Sequence, residues 1–174
     1  MQKGRHRAKL VFFLVPAAVV VALDQASKVW VRGNLPHFEL IPGFLNIVYV
    51  ENYGSAFGLL ANQTFLLVAV TAASLVVIVL FLRYLSPATT LSVVSIGLIL
   101  GGAVGNLVDR LRFSYVTDFI DVHFGELYHW YAFNIADSAI TVGIFVLIFS
   151  LYRSGLFGKR HEQNRKAGDS EPLS

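Results

Sequence analysis

Two long stretches without a charged residue limit what this chain can fold into. Asn52–Leu82 covers 31 residues and Tyr84–Val108 covers 25 residues, and neither contains Asp, Glu, Lys or Arg. A helix needs about 20 mostly apolar residues to cross the ~30 Å hydrocarbon layer of a bilayer. Each stretch is therefore long enough for one transmembrane helix.

Two shorter apolar stretches complete the count of helices. Leu10–Leu23 and Ser138–Tyr152 become long enough if each includes one ionisable residue at its end, Asp24 and Asp137 respectively. The composition agrees, because 55% of the residues are apolar and only 14% are charged, against ~25% charged in soluble domains. We therefore predict an all-α membrane protein with four transmembrane helices.

These helices organise the whole chain, residues 1–174, as a single membrane domain. We expect a small extracytoplasmic β element between the first two helices, because Pro42-Gly43 favours a turn and Ile47–Val50 is rich in β-branched and aromatic residues. The predicted segments are helices over about 9–31, 63–84, 88–109 and 133–153, extracytoplasmic segments over 32–62 and 110–132, and a cytoplasmic tail over 154–174.

The basic residues predict the orientation of these helices. Four-helix topology places ten of the 14 Lys and Arg residues on one side, which is cytoplasmic by the positive-inside rule. Both termini should then face the cytoplasm. The net charge of +3 reflects this topology, and we expect no nucleic-acid partner. A cleavable signal peptide is the alternative for the basic, apolar start, but three further spans favour an uncleaved first helix.

Several common catalytic chemistries fit the sequence poorly. The chain has no cysteine, which excludes disulfides, a thiolate nucleophile and a Cys-based metal site. The five histidines are scattered over tails and loops, and no His-Glu-x-x-His motif occurs. We therefore expect no metal site and no cofactor. A Ser-His pair is also disfavoured, because no histidine lies within a predicted span.

Polar residues inside membrane helices need a partner or a function. Asp24 and Lys28 are four residues apart on one helical face, so a structural ion pair is the favoured interpretation over a direct chemical role. The third helix carries glycines at four-residue spacing from Gly97 to Gly105, which indicates close helix packing. The same groove could alternatively admit acyl chains. At the end of this helix, Asn106 and Arg110 could brace a catalytic carboxylate.

Two aspartates, Asp118 and Asp137, raise the question of a structural or a catalytic role. Asn134 and Asp137 have the spacing of a capping box, which would make Asp137 structural. Asp118, in the preceding loop, supplies a second carboxylate at the same predicted depth. Two carboxylates close together in a poorly hydrated place share one proton, and such a pair can hydrolyse a peptide bond by activating water. Spacing alone leaves both interpretations open.

At this point the residues resemble a known family, the bacterial lipoprotein signal peptidases or signal peptidase II. Five blocks match in the family's order, which is specific although each block alone is weak. The blocks are Asp24-x3-Lys28, Asn52-Tyr-Gly-Ser-Ala-Phe57-Gly58, Gly101-Gly-Ala-x-Gly-Asn106-Leu-x-Asp109-Arg110, Val116-Thr-Asp118-Phe119-Ile-Asp121 and Phe133-Asn134-x-Ala136-Asp137-Ser138.

The resemblance implies an aspartic endopeptidase of the bacterial cytoplasmic membrane that needs no metal. Its expected substrate is a prolipoprotein, cleaved just before a cysteine that carries a diacylglyceryl group. Asp118 and Asp137 would be the catalytic pair, at the extracytoplasmic surface. The residues expected to bind substrate or support the site are Asp24, Lys28, Asn52, Gly54, Ala56, Phe57, Asn106, Arg110, Asn134 and Ala136.

The resemblance also sets the expected partners and one departure. Besides the lipid-modified substrate we expect contact with membrane lipids and a monomeric enzyme. Thr117 stands where the family usually has a second valine before the catalytic Asp. Because the two side chains have the same shape, we expect altered packing and retained activity.

Two other function classes compete with the peptidase. A small ion-coupled transporter could use Asp24, Lys28 and Asp137 as ion or proton sites. Transporters usually show internal repeats with helices broken at the midplane, whereas here the acids gather at one surface. A noncatalytic scaffold built on the glycine motif leaves Asp118 without a role.

Overall fold

The computed structural model describes residues 2–54, 63–84, 89–124 and 128–154. It contains helices at each of the four predicted places. Boundaries agree within a few residues, except that the first helix begins earlier than predicted. The helices are α1 (Gln2–Asn34), α2 (Thr64–Tyr84), α3 (Thr90–Phe113) and α4 (Ile135–Arg153).

The helices identify a membrane protein, although only three meet the criterion for a span. Within the described ranges, Leu10–Asn34, Thr90–Phe113 and Ile135–Arg153 are long and apolar enough to cross a bilayer. The apolar stretch found in α2 is shorter, Phe65–Ile78. Apolar side chains cover the outside of the bundle, as with Phe65, which is 87% exposed. Such a surface is stable in lipid and aggregates in water.

A small antiparallel sheet lies beside the helices, and it is larger than predicted. The expected strand pair is confirmed, and the turn between its strands includes Gly43, whose φ of +72° suits glycine. The segment between α3 and α4, predicted as a loop, supplies two more strands. The order in the sheet follows the chain: β1 (Phe38–Ile41), β2 (Leu45–Asn52), β3 (Val116–Phe124) and β4 (Tyr128–His129).

The loop prediction was wrong because the pairing of β3 is not local. Val116 of β3 pairs with Asn52 of β2, although α2 and α3 both lie between these two residues in the sequence. Asp118 and Asp121 also interrupt the apolar pattern by which a strand is recognised in a sequence. Of these two residues, Asp118 belongs to the site described below.

Helix α3 packs closely against α1 and α4 through its glycines. A Cβ at Gly101 would lie 2.7 Å from the Ala17 carbonyl oxygen of α1, and one at Gly102 would collide with the Ala136 carbonyl oxygen of α4. The packing interpretation of the glycines is therefore confirmed. The alternative of a groove for acyl chains is wrong at these positions, because neighbouring helices fill the space.

The end of the bundle where α3 begins is held by three hydroxyl groups, of which those of Ser92 and Ser150 are buried. Thr89 caps α3, and its Oγ1 lies 2.7 Å from the Ser150 Oγ of α4. The Ser92 Oγ lies 2.8 Å from the same Ser150 oxygen. Hydrogen bonds between small polar side chains are a usual way of joining membrane helices. The remaining polar clusters lie at the other end of α3.

Candidate active site

Asp118 lies on β3 between two amide donors. The Asn52 Nδ2 donates to Asp118 Oδ2 at 2.9 Å, and the Asn134 Nδ2 donates to Asp118 Oδ1 at 2.6 Å. Antiparallel pairing brings Asn52 here, since its partner Val116 is two residues before Asp118 on the same strand. The carboxyl group is almost completely buried.

Asp137 lies in the first turn of α4, where the predicted capping box is confirmed. The Asn134 Oδ1 accepts from the Asp137 N–H at 3.0 Å, and Asp137 Oδ2 accepts from the Asn134 N–H at 3.3 Å. The other carboxylate oxygen, Oδ1, accepts from the Asn106 Nδ2 at 2.8 Å. The predicted bracing of a carboxylate by Asn106 is therefore present.

One asparagine joins the two aspartates. Asn134 donates its backbone N–H to Asp137 and its side-chain amide to Asp118. The start of α4 is held against β3 because the Phe119 and Ile120 N–H groups both donate to the Phe133 carbonyl, at 3.0 and 2.9 Å. The capping interpretation and the paired-carboxylate interpretation are thus compatible, since the cap residue orients both acids.

Burial and charge change the acidity of Asp118. The pKa of this carboxyl group rises from 3.8 to about 7, first because burial disfavours the charged form and then because Asp137 is close. The amides of Asn52 and Asn134 and the charge of Lys28 act in the opposite direction. Asp118 can therefore hold or release a proton near neutral pH.

A buried ionic cluster lies beneath the pair. The Lys28 Nζ is 2.9 Å from Asp24 Oδ2, which confirms the predicted ion pair, and 3.4 Å from Asp109 Oδ2. It also donates to Asn106 Oδ1 at 2.9 Å. All three charged side chains are completely buried. Burial makes each charge depend on its partners, so this cluster holds Asn106 in a fixed place.

Ala136 connects this cluster to the start of α4. It is completely buried, and its N–H donates to Asp24 Oδ1 at 3.0 Å. Its own neighbour in the chain is Asp137. The position admits only a small side chain, because Gly102 and Gly105 of α3 pack against Ala136.

Arg110 contacts the site through the backbone. Its Nη2 donates to the Gly54 carbonyl oxygen at 3.2 Å, and the Gly54 N–H donates to Asn52 Oδ1 at 2.9 Å. Arg110 and Asn52 together hold the chain where it leaves β2. Two further predicted site residues, Ala56 and Phe57, lie outside the described residues.

Sequence reasoning missed the interactions of three residues, of which Asp109 belongs to the buried ionic cluster and Arg32 and Thr117 lie beside it. Asp109 is quoted in a matching block but was given no role, and Arg32 and Thr117 were not expected to interact. The Arg32 Nη1 donates to Thr117 Oγ1 at 2.8 Å and to Asp109 Oδ1 at 3.3 Å. One signal was available, because Asp24, Lys28 and Arg32 share a face of α1 at four-residue spacing.

No group of three or more His, Cys, Asp or Glu side chains that could hold a metal ion occurs within the parts of the chain that the structure describes. The side chains that converge here are two carboxylic acids and their amide donors. Their arrangement suits acid–base chemistry on a bound water.

Comparison with known proteins gives consistent matches. The family model described as signal peptidase (SPase) II matches residues 16–153. A lipoprotein signal peptidase of Syntrophotalea carbinolica is 41% identical over 161 residues, covering 89% of this chain and 98% of the relative. One of Moorella thermoacetica is 45% identical over 142 residues, covering 80% of this chain and 91% of the relative.

Solved structures agree with the sequence matches. A structure titled as a bacterial membrane enzyme, determined by the in meso method at 2.3 Å resolution, has a TM-score of 0.73 at 34% identity and covers 80% of this chain and 86% of its own. A second with a similar title, at 1.9 Å resolution, has a TM-score of 0.69 at 35% identity, with 79% and 90% covered. These matches favour the peptidase over the transporter and the scaffold. The chain belongs to the signal peptidase II family and is a membrane peptidase.

Proposed function

We propose that this peptidase removes the signal peptide from diacylglyceryl-modified prolipoproteins and that Asp118 and Asp137 are its catalytic pair. The observation that carries the proposal is the junction at Asn134, which hydrogen-bonds both the buried carboxyl group of Asp118 and the half-buried one of Asp137, from two different elements. The name shared by the relatives, lipoprotein signal peptidase, supports the substrate.

The chemistry needs one proton shared by the two carboxyl groups. The ionised carboxylate takes a proton from a water molecule while the water oxygen bonds to the carbonyl carbon just before the lipidated cysteine. The protonated carboxyl group hydrogen-bonds the carbonyl oxygen. The C–N bond then breaks as a proton passes to the leaving nitrogen. No metal or cofactor takes part in these steps, and the pKa of about 7 at Asp118 suits a group that must hold a proton near neutral pH.

The surrounding residues act as supports in this mechanism. The amides of Asn52, Asn106 and Asn134 donate hydrogen bonds to the two carboxylates and so fix their orientation. Lys28 balances the negative charge, since it is bound between Asp24 and Asp109. Arg110 and Gly54 hold the edge of the site at the end of β2.

The proposed enzyme is a monomer with four spans in the bacterial inner membrane. In this proposal α2 also spans the membrane, because its 21 residues are enough to cross the hydrocarbon layer. It returns the chain to the cytoplasmic side. Both termini then face the cytoplasm, and the whole chain forms one membrane domain. The site lies at the extracytoplasmic surface, where β3 meets the first turn of α4. A substrate whose cysteine carries acyl chains would present its scissile bond at that depth, with membrane lipids around it.

Separate Asp118→Asn and Asp137→Asn variants test the proposal. Each should lower the rate of prolipoprotein cleavage by about 10²- to 10⁴-fold, because each removes an acid–base group. Asp121→Asn is the matched control, since Asp121 lies on the same strand and accepts from Asn46 at 3.1 Å. It should cleave at the wild-type rate. Thermal unfolding in detergent shows that each variant is folded, and a folded variant of either dyad residue with near wild-type turnover would refute the catalytic assignment.

A further inference from the structure

We propose that Arg32 is a positioning residue that holds Asp118 in place through the Thr117 hydroxyl and the Asp109 carboxylate. The inference rests on the proposed function, because its effect is read at the catalytic Asp118. Arg32 lies outside all five matching sequence blocks.

Thr117 is held at both its side chain and its backbone. Its Oγ1 accepts from the Arg32 Nη1 at 2.8 Å, and its N–H donates to Asp109 Oδ2 at 3.0 Å. The Arg32 Nη1 also lies 3.3 Å from Asp109 Oδ1, which closes a ring of three partners. Thr117 is completely buried. Two helices therefore fix the residue that precedes Asp118 in the chain.

The geometry of a strand carries this constraint to Asp118. Successive side chains of a strand point to opposite faces, so Thr117 contacts α1 and α3 while Asp118 contacts Asn52 and Asn134. Pairing with β2 holds Val116, Thr117 and Asp118 in continuous register, and the register shifts just beyond Asp118, between Val50 and Ile47. Next to this irregular pairing, the contact with Arg32 adds a constraint from α1 on the Thr117 side chain.

Thr117 therefore differs from a valine of the same shape by the hydrogen bond that its hydroxyl group accepts. Valine would fill the same volume but could not accept the hydrogen bond from Arg32. Arg32 is further oriented by Phe113, since its guanidinium carbon lies 4.4 Å from the ring centroid. Arg112 approaches the same ring at 5.3 Å and has an exposed side chain. Arg112 is thus a matched control for the loss of a guanidinium group at this ring.

The first experiment uses the full chain in detergent with a diacylglyceryl-modified prolipoprotein, and compares Thr117→Val with Thr117→Ser. Thr117→Val should lower kcat about three- to tenfold and change KM by less than about twofold, because a hydrogen bond that positions Asp118 is lost while substrate contacts remain. Thr117→Ser keeps the hydroxyl group and should restore kcat to near the wild-type value.

The pH dependence separates positioning from simple stability. If Asp118 moves away from Asp137 and becomes better hydrated, the influences that raise its pKa weaken. The alkaline limb of the rate profile should then move to lower pH in Thr117→Val and return in Thr117→Ser. A purely structural role would lower the unfolding temperature and leave the limb in place.

The second experiment asks whether Arg32 acts through Thr117. Arg32→Met should lower kcat at least as much as Thr117→Val, and adding Thr117→Val to it should cause no further loss. Arg112→Met should keep the wild-type kcat. Should Arg32→Met fail to fold, the Thr117 pair still decides the question.

Two results would overturn the inference. One is a Thr117→Val enzyme with wild-type kcat and an unmoved alkaline limb. The other is a double variant whose loss equals the product of the two single losses, because independent effects multiply. Failure of the proposed function looks different, since it would appear as full turnover in folded Asp118→Asn.

Discussion

Removing the Asn52 amide should move the alkaline limit of catalysis upward. The Asn52 Nδ2 donates to Asp118 Oδ2 at 2.9 Å, and this bond favours the ionised carboxylate. In Asn52→Ala the pKa of Asp118 should therefore rise above its present value of about 7. In the proposed mechanism the carboxyl pair must hold one proton, so if Asp118 holds it, activity should persist to higher pH in the variant.

The size of the shift follows from the hydrogen bond. A hydrogen bond to a charged group contributes about 1.5–3 kcal/mol, and about 1.4 kcal/mol corresponds to one pKa unit. The lower end of that range applies, because Asn52 is partly exposed and water can replace its amide. The 2.6 Å bond from Asn134 is retained. We expect the alkaline limb to rise by about one pH unit.

The assay is kcat/KM for prolipoprotein cleavage by the full chain, measured from roughly pH 5 to pH 10 so that both limbs are seen. Asn46→Ala is the matched control. Asn46 lies on the same strand, but its amide donates to Asp121 at 3.1 Å. Its profile should coincide with that of the wild type.

The absolute rate of Asn52→Ala is not the diagnostic quantity. Asn52 Oδ1 also accepts from the Gly54 N–H at 2.9 Å, so the substitution disturbs the end of β2 and lowers the rate. The position of the limb reports the pKa alone. A limb that stays in place or moves to lower pH would refute the electrostatic account of Asp118. The predicted direction is opposite to that for Thr117→Val.

Three further predictions concern stability, each measured by thermal unfolding in detergent. Gly102→Ala should lower the free energy of unfolding by about 1–3 kcal/mol, because its Cβ would collide with the Ala136 carbonyl oxygen. The control Gly33→Ala should not lower it, because open space surrounds Gly33. Equal losses of stability in the two variants would contradict the packing account. Lys28→Met should cost about 3–5 kcal/mol by leaving buried carboxylates underpaired, and an unchanged unfolding temperature would exclude that role. The pKa of Asp118 is raised from 3.8 to about 7 in the folded protein. The protonated carboxyl group therefore contributes stability that is fully present below pH ~3.8 and is lost as the pH rises through ~7. The wild type should therefore lose stability over this window relative to Asp118→Asn, and parallel pH curves would argue against the raised pKa.

The helices were predictable because each depends on its own contiguous residues. A membrane helix satisfies its backbone internally and needs only a sufficient length of apolar side chains. The apolar stretches therefore located α2, α3 and α4 within a few residues. The β1–β2 pair was predictable for the same reason, since its turn at Pro42-Gly43 joins neighbouring segments. The ion pair of Asp24 with Lys28 follows from one helical turn.

The residues of the candidate site could be named from motifs, but the contacts between them could not be predicted from motifs. Asp118, Asn52 and Asn134 come from three separate parts of the chain. Their contact depends on β3 pairing with β2 and with Phe133, which precedes the cap residue of α4. Neither pairing has a local signal. The hydrogen bond between Arg32 and Thr117 was missed for the same reason, because it joins residues 85 positions apart.

The amino-acid sequence alone determined that the chain is a membrane protein with these helices, because the hydrophobic effect acts on composition over a contiguous stretch. Which acid faces which amide was decided only by the tertiary structure. Close packing at the α3 glycines and the non-local pairing of β3 bring distant polar residues together. The resulting burial of Asp118 and the nearby charge of Asp137 raise the pKa of Asp118 to about 7.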